Sequence, residues 1–373
     1  MFKYPVYQPS LTGNEKKYVN QCLDSTWISS KGKFIPEFED GFKAYIGVRY
    51  AATVANGTVA LHLALLALGI GPDAEVIVPT LTYIASVNAI AYTGATPVFC
   101  DSLKSTWQMD PEDVRRKITP RTRAILAVHL YGQPCEMDDL KQIAREHNLF
   151  LVEDCAEAIG SYYKGRHVGT FGDIGTFSFF GNKTITTGEG GMVVTDDDTL
   201  HDRMTHFKGQ GLAKYREYWH DVIGYNYRMT NICAAIGLAQ LEQADSFIAK
   251  KRQIAAWYRR ELRDLPVTFQ EEAGDVRHSY WMVSILVPDA ADRDPLRSAL
   301  QKNGIETRPL FYPVHSMPMY SSDFQRHPVA ENLGWRGINL PSYPGLEEVD
   351  VKGICVAIAN YFTPTVISLV EDK

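Results

Sequence analysis

A lysine held by a strand end can do chemistry that a lysine in a mobile loop cannot, and Lys183 is placed that way. It follows the apolar segment Phe177-Ser178-Phe179-Phe180-Gly181-Asn182 and precedes the small-residue run Thr186-Thr187-Gly188-Glu189-Gly190-Gly191. Such a lysine keeps its amine free, which suits one that must be neutral to attack an aldehyde. Asp154 closes another apolar run, Leu149-Phe150-Leu151-Val152-Glu153. An amine and a carboxylate on successive strand ends of one sheet are what pyridoxal 5'-phosphate needs. The carboxylate keeps the pyridine nitrogen protonated and the lysine holds the aldehyde. A plain surface lysine reads the same way in isolation, so the weight falls on its partners.

Asn56-Gly57-Thr58 opens a helix rich in alanine and leucine. Gly57 and Thr58 there offer free backbone N–H groups, a hydroxyl and the positive end of a helix dipole, the parts of a phosphate site; an ordinary N-cap uses the same tripeptide. Tyr83 follows the next strand and can stack on a planar ring or pack in the core. Glu157, three residues past Asp154, can reach a phenolic oxygen on that ring or cap the following segment. Ser178 offers a second hydroxyl for the phosphate, or is an unremarkable strand serine.

The elements that must hold these residues read as βαβ units. Helices are expected over 57–68, 86–92 and 137–147, and strands over 75–79, 97–100, 124–128 and 149–154. Short apolar strands separated by helices predict a mostly parallel mixed sheet, an α/β fold, with ligands at the carboxyl ends of its strands. The pattern changes near residue 240. One long amphipathic helix over 241–262, a strand over 280–286 and a helix over 294–303 predict a smaller α+β unit. The expected division is a large domain, 1–245, and a small C-terminal one, 246–373.

Composition narrows the class. The chain has 373 residues, 45% apolar and 22% charged, as in a globular enzyme. A net charge of −6 speaks against a nucleic-acid binder. No apolar run approaches a membrane span, roughly 18 to 20 residues, and the start of the chain shows no secretory signal. Cysteines 22, 100, 135, 155, 233 and 355 form no C-x-x-C pair, so reduced core thiols in a cytoplasm are expected. The ten histidines show no H-E-x-x-H pattern, and no metal is expected.

Taken in order, these segments resemble the DegT/DnrJ/EryC1/StrS family of pyridoxal-phosphate-dependent sugar aminotransferases, nearly end to end. The resemblance rests on Asn56-Gly57-Thr58, Leu81-Thr82-Tyr83, Glu153-Asp154-Cys155-Ala156-Glu157, the Lys183 segment and Gly188-Glu189-Gly190-Gly191. It extends to Ser25-Thr26-Trp27-Ile28-Ser29-Ser30-Lys31-Gly32, Gly224-Tyr225-Asn226-Tyr227-Arg228-Met229-Thr230 and Arg308-Pro309-Leu310-Phe311-Tyr312-Pro313-Val314-His315. It implies the aspartate-aminotransferase fold (fold type I), amino transfer from L-glutamate to a nucleotide sugar, and a homodimer. By position it makes Lys183 the covalent lysine and proton shuttle and Asp154 the pyridinium partner. Tyr83 becomes the stacking ring, and Gly57, Thr58 and Ser178 the phosphate ligands. Asn226 is implied to reach the phosphate of the neighbouring subunit, giving composite sites. Many members have glutamine where this chain has Glu157. Arg228, Arg308 and His315, with Trp27, Ser29, Lys31 and Tyr312, are the candidates for the nucleotide sugar, each with a structural role as the alternative.

Three rivals are weighed. A sugar 3-dehydratase of the same fold has histidine in place of the lysine, and a non-catalytic sensor has no need of an intact Lys183 and Asp154. A Rossmann dehydrogenase wants G-x-G-x-x-G, which Asn56-Gly57-Thr58-Val59-Ala60-Leu61 lacks.

Overall fold

The structure is a computed structural model that describes residues 2–272, 274–321 and 323–363. Its central sheet has seven strands: β1 (Tyr50–Val54), β2 (Glu75–Pro79), β3 (Thr96–Cys100), β4 (Thr122–Val128), β5 (Phe150–Asp154), β8 (Ile174–Ser178) and β9 (Gly191–Thr195). Between β5 and β8 lies a small hairpin, β6 (Tyr162–Tyr163) with β7 (Arg166–His167). The spatial order is β1-β9-β8-β5-β4-β2-β3. Strands β3, β2, β4, β5 and β8 run parallel, and β9 runs antiparallel to both β8 and β1. The expected mixed α/β sheet is therefore present. The pairing of β1 with β9 is absent from the sequence reading, because two five-residue runs about 140 positions apart carry no local sign of meeting.

Helices α1 (Glu15–Asp24) and α2 (Phe34–Ile46) precede the sheet, and α3 (Gly57–Ala67), α4 (Ile84–Tyr92), α5 (Pro111–Lys117) and α6 (Met137–His147) fill its crossovers. Helix α3 is apolar nearly all round because it packs on β8 and β9 and also against α4 and α7 (Asp198–Lys208). No helix bridges β5 and β8. That connection is pinned instead by Glu153, buried in β5, whose carboxylate accepts N–H bonds from Gly169 (2.7 Å), Phe171 (2.6 Å) and Gly172 (2.7 Å) and faces His129 Nε2 at 3.1 Å.

Beyond residue 230 one expectation holds and one is corrected. The long helix expected over 241–262 is α9 (Ala244–Glu261), preceded by a separate helix α8 (Asn231–Leu241). They break at Glu242-Gln243 because they serve different neighbours: α8 lies on α1 and α2, and α9 on α12 (Glu348–Phe362). The small-residue side of α8 is spent within its own chain; a Cβ at Gly237 would stand 2.6 Å from the Phe38 ring. The strand expected over 280–286 is confined to β12 (Val283–Leu286). Tyr280 has φ +52, and its N–H donates to His278 Nδ1 at 2.8 Å, so the chain turns there before the strand begins.

Strand β12 belongs to a four-stranded antiparallel sheet ordered β10 (Thr268–Phe269), β12, β14 (Gly337–Leu340) and β13 (Arg308–Pro309). A further short strand, β11 (Val276–Arg277), joins β6. Helix α10 (Ala290–Lys302) and α11 (Pro328–Arg336) complete the helices, and α9, α10 and α12 cover the four-stranded sheet with one apolar core. The N-terminal segment crosses to this sheet, with Tyr4 bridging to Ile305. Among the described residues no helix is long and apolar enough to cross a membrane.

Candidate active site

Asp154 is the last residue of β5 and is buried. Its Oδ2 accepts the Ser86 hydroxyl at 2.7 Å and its Oδ1 the Ala156 N–H at 3.0 Å; Ser86 is 3.0 Å from the Thr82 hydroxyl. Burial pushes this carboxyl above its ordinary value, while the two hydrogen bonds and the charge of Lys183 pull it back. A buried carboxylate whose two bonds come from a hydroxyl and an amide, with no bonded cation, fits a protonated ring nitrogen.

Strands β8 and β9 are antiparallel neighbours, and their connection carries Lys183 five residues beyond the end of β8. That loop is closed by Phe179 N–H to Gly190 O and Thr187 N–H to Phe179 O, at 2.8 and 2.9 Å. Gly191 permits the closure, since a Cβ there would lie 2.7 Å from Asn56 O and 2.9 Å from Phe177 O. Lys183 Nζ stands 3.5 Å from Glu157 Oε1 and 3.9 Å from the centroid of the Trp281 ring. The other Glu157 oxygen accepts the Tyr131 N–H at 2.8 Å. Burial pushes Glu157 up to about 7, against the lowering pull of Lys183 and the Tyr131 N–H.

The residues expected at the phosphate lie close together. Asn56 caps α3 by accepting the Val59 N–H at 3.0 Å, the ordinary N-cap reading of the tripeptide. A Cβ on Gly57 would be 2.7 Å from Ser178 Cβ, so glycine brings the α3 N-terminus onto Ser178. Thr58 and Ser178 are half-buried there. Tyr83 precedes α4 and keeps 56% of its surface exposed, its ring 5.5 Å from Phe311. A helix N-terminus, two hydroxyls, an exposed aromatic face, a buried carboxylate and an enclosed lysine together fit pyridoxal 5'-phosphate.

The remaining candidates stand on three further segments. Trp27, Ser29 and Lys31 lie on an exposed loop between α1 and α2. Asn231 holds that loop, donating from its backbone N–H to Ser29 O and from its side chain to Trp27 O, both at 2.6 Å. Asn226 and Arg228 are exposed nearby in sequence, the Asn226 side-chain oxygen accepting both Nε and Nη2 of Arg228 at 3.1 Å. Arg308 is exposed on β13, 3.6 Å from Glu306, and Tyr312 packs on Trp335 at 4.9 Å.

His315 is a correction. It is buried, with Nδ1 2.7 Å from the Thr80 hydroxyl and Nε2 3.5 Å from Glu331. The Nδ1 contact fastens residues 311–316 to Thr80, so the ring lies in the fold rather than on the open surface expected for it.

Four residues of the site escaped the sequence reading: Ser86, Tyr131, Trp281 and Tyr7, whose hydroxyl donates to the Lys183 carbonyl. Ser86 had a signal, a hydroxyl in the otherwise apolar Ile84-Ala85-Ser86-Val87 turn. The other three act across 26 to 176 positions of chain and had none. A buried trio, His129, Glu153 and Cys155, has metal-like spacing. The bonds already named engage His129 and Glu153 as a structural tie, and His129 Nδ1 accepts the Cys135 N–H at 3.0 Å.

Residues 9–359 match the DegT/DnrJ/EryC1/StrS aminotransferase family, and the chain belongs to it. It is a pyridoxal-phosphate-dependent sugar aminotransferase of fold type I. Among its relatives is the GDP-perosamine synthase of Escherichia coli O157:H7, 66% identical over 359 residues, covering 96% of this chain and 98% of that one. The GDP-perosamine synthase of Vibrio cholerae is 53% identical, with 96% and 99% covered. Among solved structures, Helicobacter pylori PseC, an aminotransferase involved in the biosynthesis of pseudoaminic acid, superposes with a TM-score of 0.92 at 28% identity, over 96% of this chain and 99% of that one.

Proposed function

We propose that this enzyme moves the amino group of L-glutamate to C4 of GDP-4-keto-6-deoxy-D-mannose. The products are 2-oxoglutarate and GDP-perosamine, a sugar donor for O-antigen polysaccharide. The observation that carries the reading is Lys183 facing Glu157 at 3.5 Å beside the buried Asp154, in a chain two-thirds identical to a GDP-perosamine synthase.

Lys183, Asp154, Glu157, Ser178, Gly57, Thr58 and Tyr83 hold the cofactor in this reading. Bound there, pyridoxal 5'-phosphate supplies an aldehyde carbon to carry nitrogen between the substrates and a ring to absorb electrons. Asp154 keeps a proton on the ring nitrogen by charge. Glu157, whose carboxyl burial pushes up to about 7, stands 3.5 Å from Lys183 Nζ and orients the amine. Nζ then takes the proton from Cα of the donor and later delivers one to C4 of the sugar. The Trp281 ring shields Nζ from water on one side. One site serves both substrates in turn, so a ping-pong rate law is expected.

A homodimer completes the reading. Tyr218 is 92% exposed and Ile223 88%, with Tyr215 and Trp219 beside them, on the segment that leads into Asn226. An apolar surface of that kind suits a second copy, which in turn places Asn226, and with it Arg228 and the Trp27-Ser29-Lys31 loop, at the neighbour's pocket. Six free cysteines, five of them buried, suit the cytoplasm. The test is a panel of GDP-, dTDP- and UDP-linked 4-keto-6-deoxy sugars with L-glutamate, read by mass spectrometry. Preferred amination of the GDP substrate is expected; preference for another nucleotide overturns the substrate assignment.

A further inference from the structure

Lys183 is held from outside its own sheet, at two consecutive peptide carbonyls. Trp281 Nε1–H donates to Asn182 O at 2.8 Å, and the Tyr7 hydroxyl donates to Lys183 O. Neither donor comes from the seven-stranded sheet. Trp281 leads into β12, turned toward the lysine by the left-handed Tyr280. Tyr7 ends an N-terminal strap tied to the four-stranded sheet and its surroundings. Along it, Tyr4 N–H donates to Gly304 O (3.0 Å), Glu306 N–H to Tyr4 O (2.9 Å), Val6 N–H to Glu306 Oε2 (2.9 Å) and Ser342 N–H to Val6 O (3.3 Å).

The strap is seated as firmly as a core element. Val6 is fully buried in one apolar cluster with Leu81, Tyr131 and Trp281. Lys251, buried in α9, lies 5.5 Å from the Tyr7 ring centroid and donates to Ser342 O at 2.7 Å. A tyrosine whose hydroxyl is bonded to the lysine's own carbonyl is fixed in place by that bond. The free end of the Lys183 side chain has four rotatable bonds, so its aim depends on how well the backbone beneath it is held.

We propose that Tyr7 and Trp281 are positioning residues, a two-point clamp on the Asn182 and Lys183 carbonyls that aims Nζ at Glu157 and ties the lysine to the four-stranded sheet. This rests on the reading of Lys183 as the covalent lysine. The clamp governs how fast the lysine bonds to the cofactor aldehyde, and leaves the phosphate cup untouched.

The test uses cofactor-free full-length protein and two probes. Pyridoxal 5'-phosphate can bond to Lys183, and its capture is followed by visible absorbance and by borohydride trapping with peptide mapping. Pyridoxamine 5'-phosphate cannot bond to the lysine and reports on the cup alone. For Tyr7→Phe, capture about tenfold slower is expected, by the loss of aim that a misplaced group suffers. Pyridoxamine phosphate affinity is expected to stay as in the wild type, and kcat to fall with the KM for the nucleotide sugar unchanged. Trp281→Phe, which keeps a ring but drops the N–H, should behave alike, and supplies the test if the first variant fails to fold. Tyr258→Phe is the control: it removes the same kind of bond, hydroxyl to the Pro341 carbonyl at 3.0 Å, with no link to Lys183, and should capture at the wild-type rate. Wild-type capture in Tyr7→Phe overturns the clamp alone, and so does an equal loss of pyridoxamine phosphate affinity. No capture at Lys183 in the wild type overturns the underlying reading as well.

Discussion

The strand ends around Asp154 and the open surface around Trp27, Asn226 and Arg228 are built in opposite ways. At the first, Asp154, Glu157 and Lys183 are withdrawn from water, and each carboxylate is held by neighbouring helix and loop residues. At the second, polar and aromatic groups stand in solvent, with Tyr218 and Ile223 almost wholly exposed on the approach to them. A buried charge shifts its proton affinity through desolvation, so chemistry that depends on proton position belongs in the first region. Recognition of a large, charged ligand needs reach rather than burial, and a surface left apolar in one chain can be completed by a second. In the proposed reading, one chain carries the reacting floor and a second copy supplies part of the walls.

Breaking the floor should cost most. Lys183→Ala is expected to lower product formation by about a thousandfold or more, the scale of losing a positioned proton carrier, with the fold intact by circular dichroism. Near-normal turnover would remove Lys183 from its role. Asp154→Asn should follow. It exchanges a charge-assisted bond for a neutral one, a loss of about 2 kcal/mol or roughly thirtyfold in kcat; an unchanged kcat would free Asp154 from the ring nitrogen.

The comparison sharpens when the two regions are damaged in different chains. Inactive Lys183→Ala and inactive Asn226→Ala proteins, mixed under subunit exchange, should regain about a quarter of the wild-type sites, since half the dimers are mixed and each holds one intact site. Proven heterodimers without activity would end the claim that Asn226 serves the neighbour.

The smallest effect concerns Glu157 and stability. Its folded value is raised to about 7, so its contribution is present below the ordinary carboxylate value, about 4.3, and is lost as pH rises to about 7. Glu157→Gln should flatten that part of the stability profile, by a difference on the order of 1–3 kcal/mol across the window. Urea unfolding of both proteins at several pH values checks it; parallel profiles would contradict the buried, proton-holding carboxyl.

The floor was legible because its signals are local. Strands β2 and β3, helix α3 and the ends of β4 and β5 coincide with short apolar runs bounded by glycine or proline, and Asp154 closes one of those runs in the sequence itself. His315 shows the opposite case. Its Arg308–His315 segment reads as an exposed ligand-binding stretch, yet Thr80 and Glu331 take both ring nitrogens from 235 and 16 residues away. The helix expected over 241–262 is present as Ala244–Glu261, and packing sets where it starts. Helical periodicity continues across Glu242-Gln243, but the neighbours change there, and packing against different helices decides where the axis breaks.

The sequence by itself determined the amine, the carboxylate, the capped start of α3, and the parallel arrangement that gathers them, because periodicity, glycine placement and residue chemistry act over a few residues. Tertiary structure alone decided what surrounds Lys183. Trp281 above its amine, Tyr131 behind Glu157 and the N-terminal Tyr7 on its carbonyl meet their partners across 98, 26 and 176 positions of chain. Contacts at such separations depend on how sheets and loops pack together, and no local pattern in the residues encodes them.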